Sequence, residues 1–389
     1  MLQANTTKEG LIYLNMLRVN SGLIPLKENT TLSKAAKSHA KYLILNQHNG
    51  HYEEKGKYAY TGKTPSERVV KAGYPSRVTM ENLSLNTKTQ KKSIDNLFSA
   101  IYHRFVFLNL EKDEIGLGDY QTKKKRRIKR AYVYDLASSS ISNLCNREHT
   151  IGNGQYYMKG VCNMSEKKIP RVLFREKKSL ISLQNDAIIL YPYAGQKEVY
   201  PAFYNESPDP LPNYEVSGFP ISVQFNPSVY QNVKLKLFKL YDDRGNEIKN
   251  TKILQANNDI NHLFTKLEFA LMPLARLEYA KRYKIVFEAL ADGNKVKKVW
   301  EFETLRLQYH FFRIVKDKVT LRVKSGESIV LYMVASNPND LLKSYRASGG
   351  IKAEFLDQNT LKVTFPKRKS SAKARLTFSN NKKISFIIE

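Results

Sequence analysis

The sequence predicts a multidomain protein in which a mixed helix-and-strand region is followed by two all-β sandwiches. Its 389 residues are enough for roughly two to four domains. Up to about residue 140, apolar residues recur at helical spacing and short strand-like segments separate the helices. Beyond residue 196, short strand-like segments follow one another between turn residues. The 24 Tyr and 18 Phe of the chain also favour strands.

Four helices are predicted in the first region. Residues 8–20 and 31–46 each place apolar side chains on one stripe. His39 lies on the second stripe, so we interpret it as a packed core histidine rather than a ligand. Residues 64–73 form a short helix, with Thr as N-cap, Pro at the first position and Gly as C-cap. Residues 89–104 are predicted to form the fourth helix.

A carboxylate bracketed by two histidines is the candidate functional site of this region. His51 precedes Glu81 and Asn82, and His103 follows them at the end of the fourth predicted helix. Two imidazoles and one carboxylate suit either a metal ion or acid–base chemistry. Hydrogen bonds that only tie loops together are an equally good explanation of the same three side chains. His51, Glu81 and His103 are therefore candidate zinc ligands.

Several motifs in this region resemble one family in their order along the chain. They are Leu14-Asn15-Met16-Leu17-Arg18, Gly22-Leu23-Ile24-Pro25-Leu26, Leu32 to Ala40, His51-Tyr52-Glu53, Tyr60-Thr61-Gly62, Ser66-Glu67-Arg68, Ala72-Gly73-Tyr74, Glu81-Asn82 and Ile115-Gly116-Leu117-Gly118. The set resembles the CAP superfamily of cysteine-rich secretory proteins, venom antigens and pathogenesis-related plant proteins, and its bacterial branch in particular. The resemblance covers residues 8–140 and implies a three-layer α/β/α sandwich.

The resemblance also implies a cavity that holds two His and two Glu. By position, His51, Glu81 and His103 supply three of these four groups, and the resemblance places Glu53 and Asn82 in the same cavity. The second Glu would fall near Ala100, whose side chain cannot replace it, and Glu53 is a possible substitute.

The remainder is predicted to be rich in strands. We expect a CAP domain over residues 1–140, a strand-rich connector over 141–195, an immunoglobulin-like sandwich over 196–304 and a second sandwich over 305–389. The segments Tyr283 to Phe287 and Trp300 to Thr304 resemble the closing strands of bacterial Ig-like modules.

Cysteine content and targeting signals bear on the compartment. Cys145 and Cys162 are close in sequence and lack zinc-ribbon spacing. They are either joined by a disulfide, which fits an oxidising compartment, or are two buried thiols.

No run of 18 apolar residues predicts a membrane span. No signal peptide precedes the first helix, so the protein is either cytosolic or has lost its leader. Because the resemblance implies secretion, we expect a secreted or periplasmic protein.

The net charge of +28 is concentrated at the two ends of the chain. Residues 1–144 carry 24 basic and 12 acidic side chains, and residues 305–389 carry 17 and 6. The densest basic run consists of Lys123, Lys124, Lys125, Arg126, Arg127, Lys129 and Arg130. It lies between two strand-like segments and is predicted to be a hairpin loop. Such a loop is either merely solvated or attracts an anionic surface such as lipid, lipopolysaccharide or acidic glycan.

Three functions are compatible with these features. In the first, the protein is non-catalytic and binds an envelope ligand or a protein partner through its cavity and basic surface. In the second, His51, Glu81 and His103 hold zinc and activate water for hydrolysis. In the third, the basic ends bind nucleic acid, which ranks last because no RNP-like motif or recognition-helix pattern occurs. No P-loop, nucleophile-elbow or dinucleotide-binding motif is found.

Overall fold

The computed structural model describes residues 2–367, 370–380 and 382–389, with the side chains of residues 2–7 excluded. Residues 2–137 form three layers around a four-stranded sheet of order β1-β3-β4-β2. Helices α2 and α3 cover one face, and α1, α4 and α5 cover the other. The elements are α1 (Leu2–Asn20), β1 (Lys27–Glu28), α2 (Thr30–Asn46), α3 (Pro65–Ala72), β2 (Met80–Leu85), α4 (Gln90–Ser99), α5 (Ile101–Phe107), β3 (Glu114–Gln121) and β4 (Arg130–Ala137).

The close contact between α2 and the sheet depends on two glycines of β3. Alternate residues of a strand face opposite sides of the sheet. Ile115 and Leu117 therefore face the core formed with α1, α4 and α5, while Gly116 and Gly118 face α2. A Cβ atom on Gly116 would lie 2.1 Å from the carbonyl carbon of Leu32 in α2. Any side chain at these two positions would therefore push the helix away from the sheet.

The fourth predicted helix is interrupted at Ala100. The sequence pattern predicts one helix over residues 89–104, whereas the structure has α4 and α5 separated by Ala100 in an extended conformation (φ −85°, ψ 117°). The amide of Ile101, the first residue of α5, donates a hydrogen bond of 2.6 Å to the carboxylate of Glu206. A distant side chain thus satisfies a helix N-terminus that has no local cap.

The connector differs from the strand-rich segment predicted for residues 141–195. Up to residue 187 it consists mainly of two helices, and its two strands have only two residues each. The elements are α6 (Ser139–Cys145), β5 (Tyr157–Met158), β6 (Ile169–Pro170) and α7 (Arg171–Ser182). A disulfide joins Cys145 at the end of α6 to Cys162, with Cα atoms 5.3 Å apart. Cys162 also forms an isolated β-bridge with Ser76, which attaches the connector to the first domain.

Two four-stranded sheets follow and share one hydrophobic core. Their orders are β13-β14-β11-β7 and β12-β15-β16-β8, and β9 pairs with β10 in a separate ribbon. The two sheets begin at residue 188, within the segment that we had assigned to the connector. The strands are β7 (Ile188–Tyr191), β8 (Gln196–Val199), β9 (Ala202–Tyr204), β10 (Val216–Gly218), β11 (Ile221–Phe225), β12 (Val233–Tyr241), β13 (Thr251–Gln255), β14 (Glu268–Pro273), β15 (Arg282–Ala291) and β16 (Asn294–Thr304).

The core of these two sheets is continuous with that of the first domain. Phe98 of α4 packs against Tyr191 at the end of β7, with ring centroids 4.8 Å apart. The guanidinium of Arg104 lies 4.8 Å from the Tyr191 ring and donates a hydrogen bond to the Ser222 hydroxyl at 3.1 Å. The first domain and the first pair of sheets therefore meet through packed side chains.

The C-terminal region has two further four-stranded sheets around a core of its own. Their orders are β17-β19-β22-β21 and β18-β24-β23-β20. Beyond Ser182, the described residues contain no helix. The strands are β17 (His310–Ile314), β18 (Lys318–Val323), β19 (Ser328–Met333), β20 (Tyr345–Ser348), β21 (Lys352–Asp357), β22 (Thr360–Thr364), β23 (Ala372–Phe378) and β24 (Lys383–Ile388).

A buried ion pair connects the two β regions. Arg276, which follows β14, donates hydrogen bonds of 2.8 and 3.1 Å to the two carboxylate oxygens of Asp357 at the end of β21. The hydroxyls of Tyr204 and Tyr279 also donate to this carboxylate, at 2.9 and 2.6 Å. The Arg276 guanidinium lies 4.6 Å from the ring centroid of Tyr332 in β19. We call these residues the Arg276–Asp357 cluster.

Candidate functional site

Glu81, at the second position of β2, is the centre of the candidate site. One carboxylate oxygen accepts a hydrogen bond from Arg68 Nη2 at 2.6 Å, and the other lies 2.9 Å from His51 Nδ1. The side chain of Glu81 is only 1% exposed, whereas that of His51 is 37% exposed. Glu81 therefore orients an imidazole that solvent can reach.

A second imidazole–carboxylate pair adjoins the first. His39 of α2 lies with its Nδ1 2.9 Å from Glu53 and its Nε2 3.8 Å from Glu81. Glu53 also accepts a hydrogen bond of 2.6 Å from the amide of Thr61. His39 is fully buried, as predicted, but it contacts two carboxylates and is part of the polar site. We call His39, His51, Glu53, Arg68 and Glu81 the imidazole–carboxylate cluster.

The start of α3 positions the single guanidinium of this cluster. Thr64 caps the helix by accepting a hydrogen bond from the amide of Glu67, and Pro65 occupies the first helical position. Arg68 follows in the first turn and is fully buried. Besides its bond to Glu81, it donates a hydrogen bond of 2.9 Å to the carbonyl of His51. Arg68 thus fixes both the carboxylate and the loop that carries the histidine.

His103 does not bind the same carboxylate as His51. Asn82 follows Glu81 in β2, so the two side chains leave opposite faces of the sheet. Asn82 donates a hydrogen bond of 2.9 Å to the carbonyl of His103 in α5. The imidazole Nδ1 of His103 lies 2.7 Å from Glu206, which belongs to the segment between β9 and β10. Glu206, a residue outside the first domain, therefore both caps α5 and pairs with His103.

A further buried carboxyl group lies beside Glu81. Asp135 of β4 is the cross-strand partner of Glu81 and is fully buried. Burial, first, and the negative charge of Glu81 raise the pKa of Asp135 well above its usual range. Burial alone would raise the pKa of Glu81. The hydrogen bond with His51 and the electrostatic interactions with His39 and Arg68 outweigh burial, so the pKa of Glu81 is lowered. The surroundings of the site therefore shift the pKa values of these two neighbouring carboxyl groups in opposite directions.

The residues proposed as zinc ligands do not fit a zinc site as they are arranged. A catalytic zinc needs three protein ligands around one point. Both oxygens of Glu81 are engaged by Arg68 and His51, while His103 is paired with Glu206. Throughout the part of the chain that the structure describes, no group of three or more His, Cys, Asp or Glu side chains is arranged to hold a metal ion.

We expect protein purified without chelator to contain far less than one zinc ion per chain. The physical reason is that zinc would have to displace the Arg68 guanidinium from Glu81 and Glu206 from His103. Elemental analysis of the wild type and of a His51→Ala, His103→Ala variant measures this. One equivalent of zinc in the wild type that is absent from the variant would contradict the expectation.

The groups of the site that solvent reaches are imidazole rings. The two partly exposed side chains are His51 and His103, which is 17% exposed, and the carboxylates behind them are buried. Imidazole N–H groups can donate hydrogen bonds to a ligand. The buried carboxylates hold the rings in place but do not reach solvent.

Sequence reasoning missed four residues of the site. Arg68 belongs to a motif that we noted for its resemblance, but nothing in the pattern gave it a role. Asp135 was visible as a charged residue within an apolar strand, which is a usable signal because buried charges are rare. The helical pattern predicts that His39 is buried but does not indicate that it contacts Glu53 and Glu81. Glu206 lies 103 residues from His103 in a Pro-rich segment and carried no local signal.

The basic run forms the loop between β3 and β4, as the strand pattern predicts. Its arginines bind the end of α2: Arg126 donates to the carbonyl of Leu45 and Arg127 to that of Gln47, both at 2.9 Å. Ile128, which follows these two arginines, is buried. Lys123, Lys124, Lys125 and Lys129 are exposed. We call these four residues the lysine tip.

Comparisons with known proteins place the first domain in a family. Residues 11–136 match the sequence profile described as CAP, the cysteine-rich secretory protein family. The first domain is therefore a CAP domain, as the motifs predict. No curated protein sequence matches the chain. None of the described helices is long and apolar enough to cross a membrane.

Solved structures give weaker likenesses. An extracellular protein containing an SCP domain from Bacillus anthracis is 17% identical, with a TM-score of 0.31, over 35% of this chain and 41% of that protein. Less than half of the Bacillus protein thus has a counterpart here. An outer surface protein from Borrelia burgdorferi is 25% identical, with a TM-score of 0.28, over 34% of this chain and 94% of that protein. A chimeric titin Z1Z2 tandem is 14% identical, with a TM-score of 0.14, over 44% of this chain and 90% of that protein.

Proposed function

We propose that the protein is a secreted or periplasmic, non-catalytic CAP-domain protein that binds an anionic component of a bacterial cell envelope. The basic loop makes the electrostatic contact, and the partly exposed imidazoles of His51 and His103 bind a ligand or partner by hydrogen bonds. The β regions, which we interpret as two Ig-like sandwiches, hold the CAP domain and orient the His103 ring through Glu206.

The observation that carries this proposal is the geometry of the basic loop. Its arginines are bound to the last carbonyls of α2, so the loop has a fixed base. The lysine tip projects from that base into solvent. Like charges held together in this way create a local positive potential that attracts anionic surfaces.

We expect the full chain to co-sediment with anionic vesicles and not with neutral vesicles, and the binding to weaken as salt rises. Exposed charges are screened over about 10 Å at 0.1 M salt. Each lysine near an anionic membrane contributes on the order of 1 kcal/mol, so changing all four residues of the lysine tip to Ser should weaken binding at least about tenfold. Arg126 and Arg127 stay unchanged because they anchor the loop to α2.

A matched control removes the same charge elsewhere. Lys234, Lys236, Lys295 and Lys298 are exposed on strands β12 and β16, and their replacement by Ser changes the net charge equally. Equal loss of binding in both variants would show that only net charge matters, and equal binding by wild type and the lysine-tip variant would refute the role of the loop. Purified lipopolysaccharide and an acidic glycan, used in separate arms, distinguish the sources of negative charge.

The zinc hydrolase is not supported as an alternative. The three residues on which it depends are divided between two carboxylates, Glu81 and Glu206, and neither carboxylate is exposed.

A further inference from the structure

Two adjoining cavities open along helices α1 and α4, lined by residues outside the imidazole–carboxylate cluster. One cavity, of about 590 Å³, lies between these helices and strands β3 and β4. The other, of about 260 Å³, lies between the same helices and strand β8. Tyr13 and Lys91 line both cavities, so the two lie side by side. We call the pair of cavities the tyrosine groove.

Three half-buried tyrosine rings line the smaller part of this groove. They are Tyr13 of α1, Tyr193 after β7 and Tyr200 after β8. The ammonium group of Lys91 lies 4.3 Å from the centroid of the Tyr13 ring, and that of Lys92 lies 3.6 Å from the centroid of the Tyr200 ring. These contacts hold two of the rings in fixed orientations. Fixed rings offer a large, rigid contact area to a ligand without much loss of conformational entropy.

Two planar polar groups lie between the rings and are held by hydrogen bonds. Asp95 accepts hydrogen bonds from the Tyr13 hydroxyl and, at 3.1 Å, from Lys91. Gln196 accepts a hydrogen bond of 3.0 Å from the amide of Tyr193 and donates one of 3.2 Å to the Tyr191 hydroxyl. Asp95 and Gln196 are 8% and 7% exposed, so only an edge of each faces the groove. Oriented carboxylate and amide groups of this kind can pair with hydroxyl groups of a ligand.

The charge of the groove is balanced, unlike that of the chain as a whole. Its lining carries four cations and four anions in a protein with a net charge of +28. The cations are Lys88, Lys91, Lys197 and Arg130, and the anions are Glu9, Asp95, Asp119 and Glu198. A polyanion would meet carboxylates along the whole groove, so the lining favours a ligand without charge.

We propose that the tyrosine groove binds a neutral oligosaccharide. The apolar C–H face of a sugar ring would stack on Tyr193, with Tyr13 and Tyr200 as walls of the site, while the sugar hydroxyls would pair with Asp95 and Gln196. The groove would act alongside the lysine tip, for which we propose binding to an anionic surface. Because the second part of the groove includes β8, the ligand would touch both the CAP domain and the first pair of sheets.

Titration calorimetry of the full chain with linear oligomers of glucose and of N-acetylglucosamine tests this site. We expect one of the two series to bind, with the same affinity at low and high salt. Tyr193→Ala should weaken that binding about tenfold, which is the loss expected for one stacked ring. Tyr193→Phe keeps the ring and should bind like the wild type. This second variant separates loss of stacking from loss of folding.

Two control variants make the outcome specific. Tyr156 is 78% exposed in the connector, and Tyr156→Ala should leave the affinity unchanged. The variant with serine at the lysine tip should also bind the oligomer like the wild type. Absence of binding in both series, equal affinity of Tyr193→Ala and wild type, or tighter and salt-sensitive binding of polygalacturonate would each overturn the proposal. None of these outcomes depends on whether vesicles bind the lysine tip, so the two proposals fail separately.

Discussion

Replacing Arg68 by Ala is expected to lower the free energy of unfolding by about 3–5 kcal/mol. The substitution leaves the Glu81 carboxylate buried without its guanidinium partner, which is among the more damaging changes in a protein interior. It also removes the hydrogen bond that holds the His51 loop. Urea unfolding followed by circular dichroism measures the effect.

The double variant Arg68→Ala, Glu81→Gln identifies the cause of this loss. If the uncompensated charge dominates, the double variant should be more stable than Arg68→Ala alone. Arg244→Ala is the matched control, because Arg244 lies exposed in the turn after β12 and should change stability by less than about 0.5 kcal/mol. An effect of Arg68→Ala as small as that of Arg244→Ala would contradict the role of the ion pair.

The Arg276–Asp357 cluster is expected to make stability depend on pH in the acid range. Burial alone would raise the pKa of Asp357, but the charge and hydrogen bonds of Arg276 and the Tyr279 hydroxyl outweigh it and lower the pKa to about 2. An Asp with a lowered pKa stabilises the folded state fully above its unfolded pKa of about 3.9, and this stabilisation is lost as pH falls toward the folded value. The contribution at neutral pH is on the order of 2–3 kcal/mol.

Asp357→Asn should remove this dependence. The difference in unfolding free energy between wild type and Asp357→Asn is expected to be constant above about pH 5 and to shrink as the pH falls from about 4 toward 2. Urea unfolding at a series of pH values measures it. Asp317→Asn is the matched control in the same region, because the Asp317 side chain is 76% exposed and 4.0 Å from its nearest cation, Lys382. A difference that does not vary with pH would contradict the assignment to Asp357.

Local signals in the sequence predicted much of the CAP domain. Thr64, Pro65 and Gly73 fix both ends of α3, because capping depends on neighbouring residues alone. The apolar stripe of α2 predicted the burial of His39, and the strand-like segments around the basic run predicted its loop. The pairing of His51 with Glu81 followed from the resemblance, and the two groups do meet at 2.9 Å.

Contacts between distant segments could not be predicted in the same way. The helix is interrupted at Ala100, where Glu206 caps the start of α5. No residue within the predicted helix 89–104 indicates this interruption. The separation of His103 from Glu81 follows from the alternation of β2, in which Glu81 and Asn82 face opposite sides. His51 and His103 therefore pair with different carboxylates, although the sequence analysis assigned both to one candidate zinc site.

The position of Glu206 has a practical consequence for experiments on excised fragments. A fragment that ends near residue 140 would match the boundaries of the family profile, which covers residues 11–136. It would nevertheless leave the His103 ring and the Ile101 amide without their acceptor, and would uncover the apolar surface of Phe98 that packs on Tyr191. Ligand screens on such a fragment would probe a surface that Tyr191 and Glu206 cover in the intact polypeptide.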